Sequence, residues 1–168
     1  MKKFTYILIV LLLSQILYAE KGEDEFLNKS ELVKSKDEDL SMQISTQKKI
    51  YKAKEQILIK IEIKNLTKHS IKLDPIIYTF PGCGGGIKIK YDNTFLLYIG
   101  PSADLYAPER EIKANSSIIE YVTLNVVDWK NFDQKGMYSI SYTYSNYAQK
   151  QQGQWFGKIT ANLTIKKD

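Results

Sequence analysis

A single cysteine, Cys83, excludes an internal disulfide. A single histidine, His69, leaves only two Cys or His ligands in the chain, too few for a structural zinc site built from those residues. His69 falls in the run NLTKHS between two expected strands, the setting of an exposed turn residue and not of a general base beside a nucleophile. Glycines are sparse, and four of the nine crowd into PGCGGG, residues 81–86. That cluster lacks both the Lys-Ser/Thr ending and the following helix of a phosphate-binding loop. The acids recur singly, never as D-x-D-x-D, so Asp74, Asp92, Asp104, Asp128 and Asp133 form no calcium loop. No metal, no cofactor and no catalytic residue is expected.

Long apolar runs are absent after the first nineteen residues, MKKFTYILIVLLLSQILYA. Lys2 and Lys3, the apolar stretch Ile7 to Leu13 and Ala19 before a charged run have the order of an export signal. Phe4 to Ala19 is shorter than the roughly 20 apolar residues of a spanning helix. The expectation is a cleaved signal (1–19) and a protein that is exported, periplasmic or secreted, with no membrane contact after cleavage. The alternative is retention of the signal as an anchor.

Charge then divides the remaining chain. Residues 20–39 hold eight acids against four lysines, whereas residues 40–168 hold eighteen bases against eleven acids. The acidic stretch has only Phe26, Leu27, Leu32 and Val33 as large apolar groups, which reads as a flexible segment with at most a short helix over residues 28–36. The lysines of the body alternate with isoleucines, as on solvent-facing strand positions, so no nucleic-acid partner is expected.

From Leu40 the apolar period is two. Ile57, Ile59, Ile61 and Ile63 share one face against Lys60, Glu62 and Lys64, and IKIKY, MYSISYTYS and KITANLTIKK repeat the pattern. SIIEYVTLNVV is apolar on both faces and reads as a central or doubly covered strand. Turn residues separate these runs, among them Asp92-Asn93 and Lys135-Gly136. The expectation is an all-β, two-sheet antiparallel sandwich of seven to nine strands spanning residues 40–168, with no internal disulfide. A closed barrel is the alternative.

The run Asp133-Gln-Lys-Gly136-Met-Tyr138 is similar to the tyrosine corner of immunoglobulin-like domains, with Asp133, Gly136 and Tyr138 as its structural residues. Together with IKIEIKNLTKHSIKL, IKANSSIIEYVTLNV and KGMYSISYTY, it resembles bacterial exported immunoglobulin-like domains and, more loosely, the bacterial intracellular proteinase inhibitor family. The resemblance covers roughly residues 42–166. It implies that the all-β sandwich is an immunoglobulin-like antiparallel β-sandwich, and it implies a proteinase-inhibitor-like module as one alternative activity.

Between the last two expected strands lies SNYAQKQQGQWFGK, residues 145–158. Tyr147, Trp155 and Phe156 amid polar neighbours make it the candidate binding loop for a protein partner in the cell envelope or outside the cell. Trp155 has a second reading, as a cover over the open end of the core. Cys83 is the candidate reactive thiol, and it leaves two states open, a monomer or a Cys83-linked dimer. The function expected is a non-catalytic binding or adaptor domain acting through loops and strand edges. A small carboxylate- or metal-dependent hydrolase is the reading from a different class.

Overall fold

The computed structural model describes residues 26–73, 86–100, 110–146 and 154–168. The proposed signal, Cys83 and Tyr147 lie outside these. The described chain is all-β: β1 (Asn28–Lys29), β2 (Val33–Lys34), β3 (Leu40–Thr46), β4 (Ile50–Tyr51), β5 (Ile57–Asn65), β6 (Ile71–Leu73), β7 (Gly86–Tyr91), β8 (Thr94–Phe95), β9 (Arg110–Ile112), β10 (Ser117–Leu124), β11 (Gly136–Asn146) and β12 (Gly157–Lys167), with one 3-10 turn at Val126–Asp128. The strands exceed the seven to nine expected because two- and three-residue pairings leave no periodic trace in a sequence.

One five-stranded sheet runs β1-β3-β5-β10, with β2 also on β3; a second runs β4-β12-β11-β7-β8; β6 and β9 form a separate pair. The pairings are antiparallel except β4 beside β12. Neither large sheet closes on itself, so the fold is not a barrel. Ile57, Ile59, Ile61 and Ile63 of β5 are buried together with Ile140, Tyr142, Leu163 and Ile165 of the other sheet in one core. Each such side chain contributes about 1.5–3 kcal/mol relative to exposure.

Local chemistry sets the register. Asp92 and Asn93 adopt φ of 47° and 63°, and Tyr91 pairs with Thr94 across them. Two left-handed residues make the tight turn whose twist matches the flanking strands. Asn65 is fully buried, and its Nδ2 donates to the carbonyls of His69 at 2.7 Å and Ile112 at 3.0 Å. It thereby ties the β5–β6 turn to β9 and satisfies loop carbonyls that would otherwise be buried without partners.

Two expectations are corrected. The acidic segment is not a tether from residue 26 onward, nor a helix. Phe26 is buried, Ser30 exchanges bonds with Ile44 (Ser30 N to Ile44 O 2.8 Å, Ile44 N to Ser30 Oγ 3.0 Å), and Val33 pairs with Met42. The anchors are polar residues, Asn28, Ser30 and Ser35, all buried, which a count of apolar groups overlooks. Asn28 Nδ2 even crosses to the second sheet, donating to Thr164 O at 3.0 Å. The second correction concerns β10, which pairs only with β5 among the described residues. It is an edge strand of its sheet, with Ile119 and Tyr121 exposed on its outer face.

Candidate functional site

β11 and β12 pair without a break from Gly136↔Lys167 to Asn146↔Gly157, so this hairpin reaches both ends of the molecule. At the far end, Asn146 Nδ2 donates to Trp155 O at 2.8 Å and Trp155 N donates to Lys72 O at 3.0 Å. The indole lies over Tyr144 with ring centroids 5.2 Å apart and 26° between planes. Trp155 is 4% exposed, and its Nε1 has no hydrogen-bond partner among the described residues. A binding anchor at Trp155 is therefore set aside: the side chain covers the core. Gly157 (φ 150°) permits this, since a Cβ there would sit 3.0 Å from Trp155 Cζ2. Of the candidate loop residues, Phe156 remains 42% exposed.

At the opposite end, Tyr138 is buried at the start of β11. Its hydroxyl donates to Gln134 O at 2.7 Å, with Asn131 O at 3.2 Å. Phe132 meets the ring edge-on at 5.1 Å and Tyr91 lies at 4.9 Å. Burial pushes the Tyr138 phenol up to about 12. Gly136 (φ 143°) leaves room for Tyr91, whose Cε2 would lie 2.6 Å from an added Cβ. Asp133 sits in the preceding turn. Lys167 ends β12 with its ammonium 3.8 Å above the Phe132 ring and 3.0 Å from Ala53 O. Burial draws that amine down to about 8, opposed by the carboxylates of Asp133 and Glu55.

These two ends are structural. The exposed chemistry lies elsewhere, along residues 94–99. Leu96 N donates to Ile89 O at 2.8 Å, Lys130 N to Leu97 O at 2.9 Å and Ile99 N to Asp128 O at 2.8 Å. Backbone partners on both sides hold this segment extended, so its side chains alternate. Leu96 and Tyr98 pack on the core, while Phe95, Leu97 and Ile99 are 56%, 63% and 58% exposed. Val127, on the 3-10 turn, is 80% exposed. Trp129, edge-on to Tyr98 at 5.2 Å, forms the floor between two open hollows. One, of about 320 Å³, is lined by Phe95, Leu96, Leu97 and Tyr98; the other, of about 560 Å³, by Ile99, Val127, Lys54 and Lys130. Sequence reasoning passed over this surface. The available signal was FLLYI itself, apolar on both faces and bounded by Asp92-Asn93 and Gly100-Pro101.

Among the described residues, no three His, Cys, Asp or Glu side chains come together as a metal site. No helix there is long and apolar enough to cross a membrane.

No family model and no curated protein matches the chain. Among solved structures, it is similar to one described as "a putative lipoprotein (ycdA)" from Bacillus subtilis subsp. subtilis str. 168, at 18% identity and a TM-score of 0.36. The match covers 79% of this chain and 38% of that one, so this chain spans well under half of that protein's length.

Proposed function

We propose that this chain is an exported, non-catalytic binding domain of immunoglobulin-like type that engages a protein partner through a strand edge and its adjoining loop. The observation that carries the reading is the exposed apolar group Phe95, Leu97, Ile99 and Val127. A contiguous apolar patch rimmed by polar residues is the usual mark of a protein interface, and Trp129 beneath it supplies a rigid floor. The sheet orders support the immunoglobulin-like type: β3-β5-β10 opposite β12-β11-β7 is the arrangement of A, B, E against G, F, C. The export reading rests on the N-terminal signal pattern.

The test is capture from a cell-envelope extract by the purified protein and by a Leu97→Ser/Val127→Ser variant. Both side chains are exposed, so the variant should keep the thermal midpoint of the parent. Capture should fall roughly tenfold or more, the size of a single hot-spot loss. Undiminished capture by the folded variant would sink the interface.

A further inference from the structure

β7, β11 and β12 contain five lysines and no Asp or Glu. Lys167 points into the core, whereas Lys88, Lys90, Lys158 and Lys166 alternate onto the outer face. Strand register arranges this face in rows. Lys90 stands opposite Ser139 and Phe95, and Ser139 opposite Thr164. The next row is Lys88, Ser141 and Asn162, and beyond it Thr143 faces Thr160 with their hydroxyls 2.9 Å apart. Neighbouring residues in a row are about 4.8 Å apart. The ammonium of Lys90 lies 4.5 Å from the Phe95 ring centroid and that of Lys88 6.0 Å, so the two charges and the exposed ring form one cluster. Two acids border the face. Asp168 pairs with Lys166 at 2.5 Å, and Asp92 lines an open depression of about 630 Å³ beside Lys90, Ser139 and Thr164. The outer face of the other large sheet differs, since Glu62 there stands 3.9 Å from Lys60.

We propose that the outer face of the β12-β11-β7 sheet binds an acidic polysaccharide, with Lys88 and Lys90 meeting its carboxylates, the Ser139–Thr164 and Ser141–Asn162 rows its hydroxyls, and Phe95 the apolar face of a sugar ring. Charge complementarity selects a polyanion. The remaining chemistry selects the class. Hydroxyl and amide side chains both donate and accept, which suits sugar hydroxyls. A membrane surface would need a broad apolar face with its charges, and single-stranded nucleic acid a series of stacking rings. Here one ring, Phe95, and one exposed methionine, Met137 opposite Lys166, stand among polar rows, while Leu97, Ile99 and Val127 lie on other segments, beyond β8. This surface goes beyond the protein interface proposed above; Phe95 and Lys88 border both, but neither Leu97 nor Val127 belongs to the sheet face, so Leu97→Ser/Val127→Ser should leave it intact.

The experiment measures binding of the purified protein to polygalacturonate, with dextran as the uncharged control. The parent should bind polygalacturonate, release it as salt rises, and ignore dextran. Lys88→Gln/Lys90→Gln should weaken binding about fivefold to tenfold, as two exposed ion pairs would. Ser139→Ala/Thr164→Val, which leaves the charge unchanged, should weaken it about threefold by removing hydroxyl partners. Equal binding by parent and lysine variant would overturn the site. An effect of the lysines with none from the hydroxyls would reduce the face to unspecific charge and overturn polysaccharide recognition. Equal or tighter binding to single-stranded DNA or to anionic phospholipid vesicles would overturn it as well.

Discussion

The two ends of the β11–β12 hairpin solve the same problem with different chemistry. Each closes the core with an aromatic pair, and each uses a glycine at positive φ to let a ring approach the backbone. At the Tyr138 end the polar atom of the buried ring is satisfied, its hydroxyl donating to the Gln134 carbonyl at 2.7 Å. At the Trp155 end the indole N–H is buried without a partner among the described residues, although the backbone around it is tied by Asn146 and Lys72. A polar group contributes to stability when its partner is built in, and opposes folding when it is only desolvated. One ring is therefore held by a directional bond and the other by stacking and area.

The largest effect that breaks this comparison comes from the glycines. Gly136→Ala should destabilise by about 3 kcal/mol, from a disfavoured φ and a collision with the Tyr91 ring. That ring cannot yield easily, because its hydroxyl donates to Lys135 O at 3.0 Å. Gly157→Ala, whose Cβ would meet only the indole edge at 3.0 Å, should cost about 2 kcal/mol. Urea denaturation of both variants gives the order, and a larger loss at Gly157 would reverse it.

Removing the polar atoms sharpens the contrast. Tyr138→Phe should cost about 1–2 kcal/mol, because it deletes a satisfied bond and strands the Gln134 carbonyl. Replacing Trp155 by its benzothiophene isostere removes the N–H at nearly constant volume and should leave the thermal midpoint unchanged or raised. A drop comparable to that of Tyr138→Phe would show that the indole has found a partner after all.

The two ends also differ in pH dependence, an effect that vanishes at neutral pH. Lys167 has a folded-state value of about 8 against an ordinary 10.5. Between these, the unfolded chain binds more protons than the folded one, so stability rises as pH increases from about 8 to 10.5. Tyr138 acts oppositely: its value is raised from 10.0 to about 12, so stability is lost as pH climbs across that interval. Lys167→Met should abolish the rise and keep the fall. Thermal midpoints from pH 7 to 11 distinguish the two, and a variant that retains the rise would remove Lys167 as its source.

How much was legible depends on how each signal is carried. β5, β7, β11 and β12 were readable because an alternation such as Ile57-Ile59-Ile61-Ile63 is itself a statement about which side is buried. The N-terminal strands were not, since Asn28–Lys29 and Val33–Lys34 are too short to show a period. Their anchors are hydrogen bonds made across the sheet. β10 was misplaced for a different reason. Ile119 and Tyr121 are apolar residues on an outer face, and sequence cannot distinguish a covered outer face from an uncovered one. The same ambiguity hid Phe95, Leu97 and Ile99 within FLLYI.

Sequence by itself determined the all-β class, the alternation that divides inward isoleucine and tyrosine from outward lysine and hydroxyl, and the turns at Asp92-Asn93 and Gly136. Those follow from backbone sterics and side-chain period, which act over a few neighbouring residues. Only the tertiary structure decided that Trp155 belongs to the core, that Phe95 and Val127 share a surface, and that four lysines from two distant stretches of chain fall on one face. Those depend on sheet order and register between residues far apart in sequence, and no local preference encodes which strands become neighbours.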